Sequence, residues 1–126
     1  ELKIEPTESG LIFEELKPGE GELVKADDIV TFHFISKLVT EVGVFGRVFA
    51  DSVNPRPAPL RLEVSELGKV LPGAAEGVQL MKKGGHAVLY MPPELAYGKG
   101  GHYNARVPAH SVVIMEILIK NVEPGE

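Results

Sequence analysis

Glycine and proline punctuate this chain so closely that long regular elements have little room: glycine takes 14 and proline 10 of its 126 positions. That is above average usage, yet below the level of a low-complexity sequence. Between the breaks lie short apolar segments, the pattern of strands joined by turns. Hydrophobic residues make up 44% and charged residues 25%, a balance that supports a packed core and argues against wholesale disorder. A chain of 126 residues suits one domain.

Residues 1–10 form a polar lead-in, and Leu11-Ile12-Phe13 starts a strand that ends at the turn signal Lys17-Pro18-Gly19-Glu20-Gly21. We divide the chain into this lead-in with its first strand, 1–21, and a domain over 22–126. From 28 to 38, Val30, Phe32, Phe34, Ser36 and Leu38 share one face, with Ile29, Thr31, His33, Ile35 and Lys37 on the other. Both faces carry apolar residues, so this strand is expected to be covered over much of its length. Leu60-Arg61-Leu62-Glu63-Val64 alternates as a strand with one buried face. Two more strands are predicted over 86–91 and 111–122, the latter with Val113, Met115, Ile117 and Ile119 on one side.

The spacing predicts one helix, over 73–83. Pro72 stands at its start, where a missing N–H costs nothing. Ala74, Val78 and Met81 make an apolar stripe, Lys82 and Lys83 suit the negative end of the helix dipole, and Gly84-Gly85 supply a stop. Residues 40–54 read as irregular, Pro55, Pro57 and Pro59 forbid ladder pairing, and 94–108 form a long glycine-rich loop. The sum is an α+β fold of four to six antiparallel strands with a helix on one sheet face.

The chain has no cysteine, which excludes disulfides, thiolate metal sites and cysteine nucleophiles. His33, His86, His102 and His110 show no metal-ligand spacing, so no metal and no cofactor is expected. Ser52 and Ser111 lack a nucleophile elbow, and Gly98-Lys99-Gly100-Gly101 lacks the strand-to-helix setting of a phosphate loop. The net charge is −5 and no basic run exceeds Lys82-Lys83, so nucleic acid is not an expected partner. No apolar run is long enough to span a membrane. The chain opens on Glu1 without a leader-like segment and reads as mature or trimmed. Absence of cysteine is compatible with a periplasmic or secreted location, though many small cytoplasmic domains also lack it. What remains is a set of apolar and aromatic residues beside glycine-rich chain, core or pocket: Phe34, Phe49, Leu60, Val70, Leu71, Tyr97 and Met115. Val70-Leu71-Pro72-Gly73-Ala74 lies where a loop enters the helix, a place for free backbone N–H groups at the rim of an apolar cavity.

At these residues the sequence resembles the FKBP-type peptidyl-prolyl isomerases. Val70-Leu71-Pro72-Gly73, then Glu76-Gly77-Val78 with Met81 and Gly84, is similar to the family's V-I-x-G-W-x-E-G-V-x-x-M-x-x-G segment. Pro93-Glu94-Leu95-Ala96-Tyr97-Gly98 resembles its P-x-x-A-Y-G turn, and Val107-Pro108-Ala109-His110-Ser111 its entry to the last strand. Phe32-His33-Phe34 and Val48-Phe49 resemble V-H-Y and the V-F of V-F-D-S. The start, Ser9-Gly10-Leu11 and Pro18-Gly19-Glu20-Gly21, is similar to the bacterial periplasmic members, the macrophage infectivity potentiator group among them.

The resemblance covers roughly residues 9–122. It implies an antiparallel half-barrel sheet of about five to six strands wrapped around one short helix, with a proline pocket between them. By the same carry-over Phe49, Tyr97, Leu71 and Asp51 would be the catalytic set, with the Leu71 N–H holding a peptide carbonyl. Phe34, Leu60, Val70, Ala74, His102 and Met115 would bind substrate. The implied partners are proline-containing polypeptides and macrolide immunosuppressant-type ligands.

Departures from the family pattern are concentrated at the pocket. Ala74 stands in place of the pocket-floor Trp, and Leu60 and Met115 in place of Phe. Ala50 stands in place of the Asp after V-F, with Asp51 displaced by one. Residues 37–46 run longer than the usual hairpin, and Arg106 falls at a commonly apolar position. Three functions follow for test: a prolyl isomerase acting on folding chains, a weak or inactive polypeptide-binding or chaperone module of the same fold, or a scaffolding piece of a larger protein.

Overall fold

The computed structural model describes residues 7, 9–39, 48–51, 58–96 and 112–125. In chain order they form β1 (Ile12–Lys17), β2 (Ile29–Val39), β3 (Val48–Asp51), β4 (Leu60–Glu63), α1 (Val64–Val70), α2 (Pro72–Val78), β5 (His86–Met91), a 3-10 turn (Pro93–Leu95) and β6 (Val112–Glu123). All pairings are antiparallel, in the order β1-β5-β6-β2-β3 with β4 also paired to β2. The fold class is the α+β sheet-and-helix arrangement that the sequence predicts.

The 11-residue β2 organises the sheet. Its whole length pairs with β6, from Ile29 opposite Glu123 to Val39 opposite Val112. Its other edge is shared: the first half pairs with β4, the second with β3. Three bulges break the ladders. Leu16 has no counterpart in β5, Lys120 none in β2, and Phe49 none in β2. Each inserts one residue, and a single insertion swaps the faces of everything beyond it. The bulge at Lys120 thereby returns Val122 to the core side, opposite Val30.

The alternation predicted for β2 and β6 is present: Val30, Phe32, Ser36, Val113, Met115, Ile117 and Ile119 are buried on one face. That face is covered by the two helices. The predicted single helix is two short ones. Residues 64–70, where the sequence shows one strand residue and then no periodicity, turn as α1, and Leu71 ends α1 and begins α2. The second helix stops at Val78 rather than running to Lys83. Beyond it the backbone is claimed by other partners: the Met81 carbonyl accepts from the Val24 N–H at 3.0 Å, and Glu20 bridges Lys83. Met81 keeps the buried place its spacing implies, but outside the helix.

The seat of α2 is glycine-made. A Cβ on Gly77 would lie 2.4 Å from Leu89 Cδ1, and one on Gly73 would lie 2.7 Å from Met91 Cγ. Leu89 and Met91 are two residues apart on β5, hence on one face, and Gly73 and Gly77 are one turn apart on α2. Two bare turns of helix thus receive two buried strand side chains, bringing helix and sheet closer than any Cβ would allow. On the other side of α2, Ser9 Oγ donates to the Glu76 carboxylate and ties the lead-in to the helix.

Candidate functional site

The chain enters α2 through Leu71, whose φ of −133° and ψ of 87° lie outside the helical region. Its carbonyl accepts from the N–H groups of Ala74 (3.0 Å) and Ala75 (3.2 Å), capping α2. Its own N–H donates to the Leu67 carbonyl at 2.8 Å and closes α1. This corrects the expectation of a free Leu71 donor: the unforeseen helix α1 supplies its acceptor. What Leu71 presents from this junction is its side chain, 7% exposed.

On the facing sheet, cross-strand pairing sets which residues share the helix side. Ser36 lies opposite Met115, Phe34 opposite Ile117 and Phe32 opposite Leu60. Their parity puts Phe34, Leu60 and Met115 on the same side as buried Phe32 and Ile117. Phe34 packs at a tilt against Phe32, ring centroids 5.9 Å apart, and is half-buried. Leu60 is 40% exposed, whereas Met115 and Ala74 are closed from solvent. The helix-facing side therefore grades from a sealed interior at Ala74 and Met115 to an accessible apolar margin at Phe34 and Leu60.

Of the other residues singled out by sequence, Val70 is the last residue of α1, and Phe49 and Asp51 belong to β3. Phe49 is the bulge residue, Ala50 pairs with Ser36, and Asp51 pairs with Ile35. Ala50 thus takes the register position on the Phe34 and Ser36 side, and Asp51 the position on the opposite one. The β3 bulge does not bring Asp51 back to the helix side. Tyr97 and His102 lie outside the described residues, as do Arg106 and most of the long 37–46 segment.

A second group went unnoticed in the sequence because its members are far apart along it. On the outer face, His33, Ile35, His86, Glu116 and Leu118, with Phe34 between the first two along β2, line a depression of about 200 Å³. His86 Nε2 meets Glu116 Oε2 at 2.5 Å. This imidazole–carboxylate pair lies across the sheet from the apolar margin and has no nucleophile beside it among the described residues. Nor do any three His, Asp or Glu side chains among the described residues gather as a metal site would require. No helix among them is long and apolar enough to cross a membrane.

Residues 20–120 match the family described as FKBP-type peptidyl-prolyl cis-trans isomerase. A probable FKBP-type peptidyl-prolyl cis-trans isomerase of Haemophilus influenzae is 35% identical over 121 residues, which are 96% of this chain and 46% of that protein. The crystal structure of FkpA from Escherichia coli superposes with a TM-score of 0.83 at 30% identity, covering 98% of this chain and 53% of that one. The N-terminal domain of FKBP42 from Arabidopsis thaliana reaches a TM-score of 0.85 at 23% identity, over 98% of this chain and 94% of that one, a likeness of fold. The chain spans about half the length of the curated bacterial relatives it matches.

Proposed function

This chain belongs to the FKBP-type peptidyl-prolyl cis-trans isomerase family, and from that premise we propose that it catalyses cis–trans isomerisation of X-Pro bonds in folding polypeptides. The observation that carries the reading is the graded apolar face: Phe34 and Leu60 accessible at the margin, Leu71, Ala74 and Met115 closed behind them. None of these side chains can donate or accept a proton, and the reaction requires none to.

Resonance holds the peptide C–N bond planar with a barrier of about 18–20 kcal/mol, so an X-Pro bond turns over in tens to hundreds of seconds unaided. Twisting the bond returns the lone pair to nitrogen and reduces the charge separation of the amide. An apolar surround disfavours the planar dipolar amide relative to the twisted one, and each ~1.4 kcal/mol of that difference gives about tenfold in rate. In this reading Phe34 and Leu60 grip the proline ring, and Leu71, Met115 and Ala74 close the site behind it. Phe49, Val70, Tyr97 and His102 complete the wall in the roles the family resemblance assigns. Leu71 acts through its side chain, since its N–H is held by Leu67. Asp51, on the register position away from Phe34, serves only if β3 shifts by one residue.

A protease-coupled assay on an X-Pro tetrapeptide tests the proposal. Catalysis at micromolar protein that falls on Phe34→Ala is expected; a rate equal to the uncatalysed one overturns it. A second reading, a polypeptide-binding or chaperone module with little catalysis, draws on Ala74 and on the occupied Leu71 N–H. It predicts suppression of client aggregation that survives Phe34→Ala and Tyr97→Ala. Macrolide immunosuppressant-type ligands would compete with proline peptides for the same face. The lead-in and first strand, 1–21, would serve the 22–126 domain by adding the edge strand beside β5. A periplasmic or secreted location fits the absence of cysteine and the bacterial relatives, and cell fractionation tests it.

A further inference from the structure

One end of the sheet carries a group of cations that the isomerase reading does not use. Lys17, Lys83 and Lys120 line an open cavity of about 340 Å³ together with Gly19, Glu20 and Gly84. The three lysines are exposed, and none of them forms an ion pair among the described residues. Each owes its place to a local irregularity of the backbone. Lys17 follows the Leu16 bulge, which sets it opposite His86 on the outer side instead of continuing the inward parity of Leu11 and Phe13. Lys120 is itself a bulge residue. Lys83 precedes Gly84, whose φ of +85° is the left-handed region that glycine accepts without strain.

The turns that frame the cavity are also tied together by backbone hydrogen bonds. The Glu20 N–H donates to the Lys83 carbonyl at 2.9 Å, and the Gly84 N–H to the Ile119 carbonyl at 3.0 Å. Any Cβ on Gly19 would sit 2.5 Å from the Lys82 and Lys83 carbonyl oxygens, so the two turns are pressed together. The chain as a whole is acidic, with net charge −5. Three unpaired ammonium groups against one carboxylate, Glu20, make this a local reversal of sign on a fixed frame.

We propose that this cavity binds a compact multivalent phosphate. A single carboxylate has too few oxygens and too little charge to satisfy three ammonium groups, whereas a linked pair or triplet of phosphoryl groups offers more charge and several oxygens to share among them. The same phosphoryl chemistry occurs free, as an oligophosphate, and on lipid headgroups.

The test is an amide NMR titration with inorganic tripolyphosphate at low ionic strength. Saturable shifts centred on Lys17, Glu20, Lys83, Gly84 and Lys120 are expected. The triple variant Lys17→Gln, Lys83→Gln, Lys120→Gln should lose about tenfold or more in affinity, the summed effect of three exposed ionic contacts. Glu20→Gln should bind about twofold more tightly as the one opposing charge is removed. Lys25→Gln, which removes a lysine paired with Glu22 outside this cavity, should bind as the parent does. Each single lysine variant reads the same loss in smaller steps, should the triple variant not fold. Sedimentation with anionic phospholipid vesicles separates the sources: vesicle binding displaced by tripolyphosphate supports the site with a headgroup as ligand. No saturable shift, an equal loss in Lys25→Gln, or vesicle binding indifferent to tripolyphosphate overturns the proposal.

Discussion

The two halves of the helix–sheet contact are built on opposite principles. Against β5, α2 offers Gly73 and Gly77, and the buried side chains of Leu89 and Met91 fill the bare turns. On β2 and β4, the helix-facing side carries side chains that stay partly accessible, Phe34 and Leu60. The first half leaves no space and the second leaves some. A close-packed seat fixes the helix, and a fixed helix can hold an apolar margin open without its collapsing onto the sheet. Rigidity on one side is what makes a usable surface on the other.

Breaking the seat should cost the most. Leu89→Ala removes a fully buried side chain at the α2 contact and should destabilise by about 2–5 kcal/mol, read by denaturant unfolding. Gly77→Ala should cost about 1–3 kcal/mol by overpacking, since its Cβ meets Leu89 Cδ1, Cδ2 and Cγ at 2.4, 2.6 and 3.0 Å. The pair should not add: with Leu89 already truncated, Gly77→Ala should cost less than in the parent. Additive costs would mean that the contact between Gly77 and Leu89 does not position the helix.

Breaking the margin should show the reverse profile. Leu60→Ala, at a 40% exposed position, should change stability by less than about 1 kcal/mol while lowering kcat/KM for an X-Pro peptide about three- to tenfold. If stability falls and activity does not, Leu60 is a structural residue and the two halves are alike.

The smallest effect belongs to the ion pair that ties β4 to β6 across β2. Arg61 donates through Nε and Nη2 to the two Glu123 carboxylate oxygens at 3.2 and 2.7 Å. The hydrogen bonds from Arg61, aided by its charge, hold the Glu123 carboxyl below its ordinary value of 4.5. A carboxyl with a depressed folded-state pKa contributes stability above its unfolded value and loses it as pH falls through the folded one. Glu123→Gln should therefore flatten the stability profile only on the acid side of that ordinary value. Both partners are exposed, so the difference should fade in high salt.

Much of this was legible in the sequence, for stated reasons. The alternation of β2 and β6, the Pro92-Pro93 stop after β5 and the Pro72 start of α2 are local signals, and the chain obeys them. Helix α1 gave no such signal: Glu63 caps it without a side-chain hydrogen bond, Gly68 interrupts it, and its first residue continues the β4 alternation. The end of α2 was misplaced because the Val24–Met81 and Glu20–Lys83 pairings are long-range. For the same reason composition could not show the lysine cavity, whose members come from three distant turns and bulges. At the candidate site the sequence did not show the fate of the Leu71 N–H, which depends on α1.

The central claim is that an apolar face, without any acid or base, speeds the turning of a prolyl bond. Equilibrium exchange NMR on an X-Pro peptide, followed from roughly pH 5.5 to 8.5 with catalytic amounts of the protein, tests it most directly. The account predicts exchange faster than the spontaneous rate, independent of pH across that range, and reduced by Leu60→Ala. Exchange at the spontaneous rate, or a catalysed rate that follows a titration curve, would contradict it.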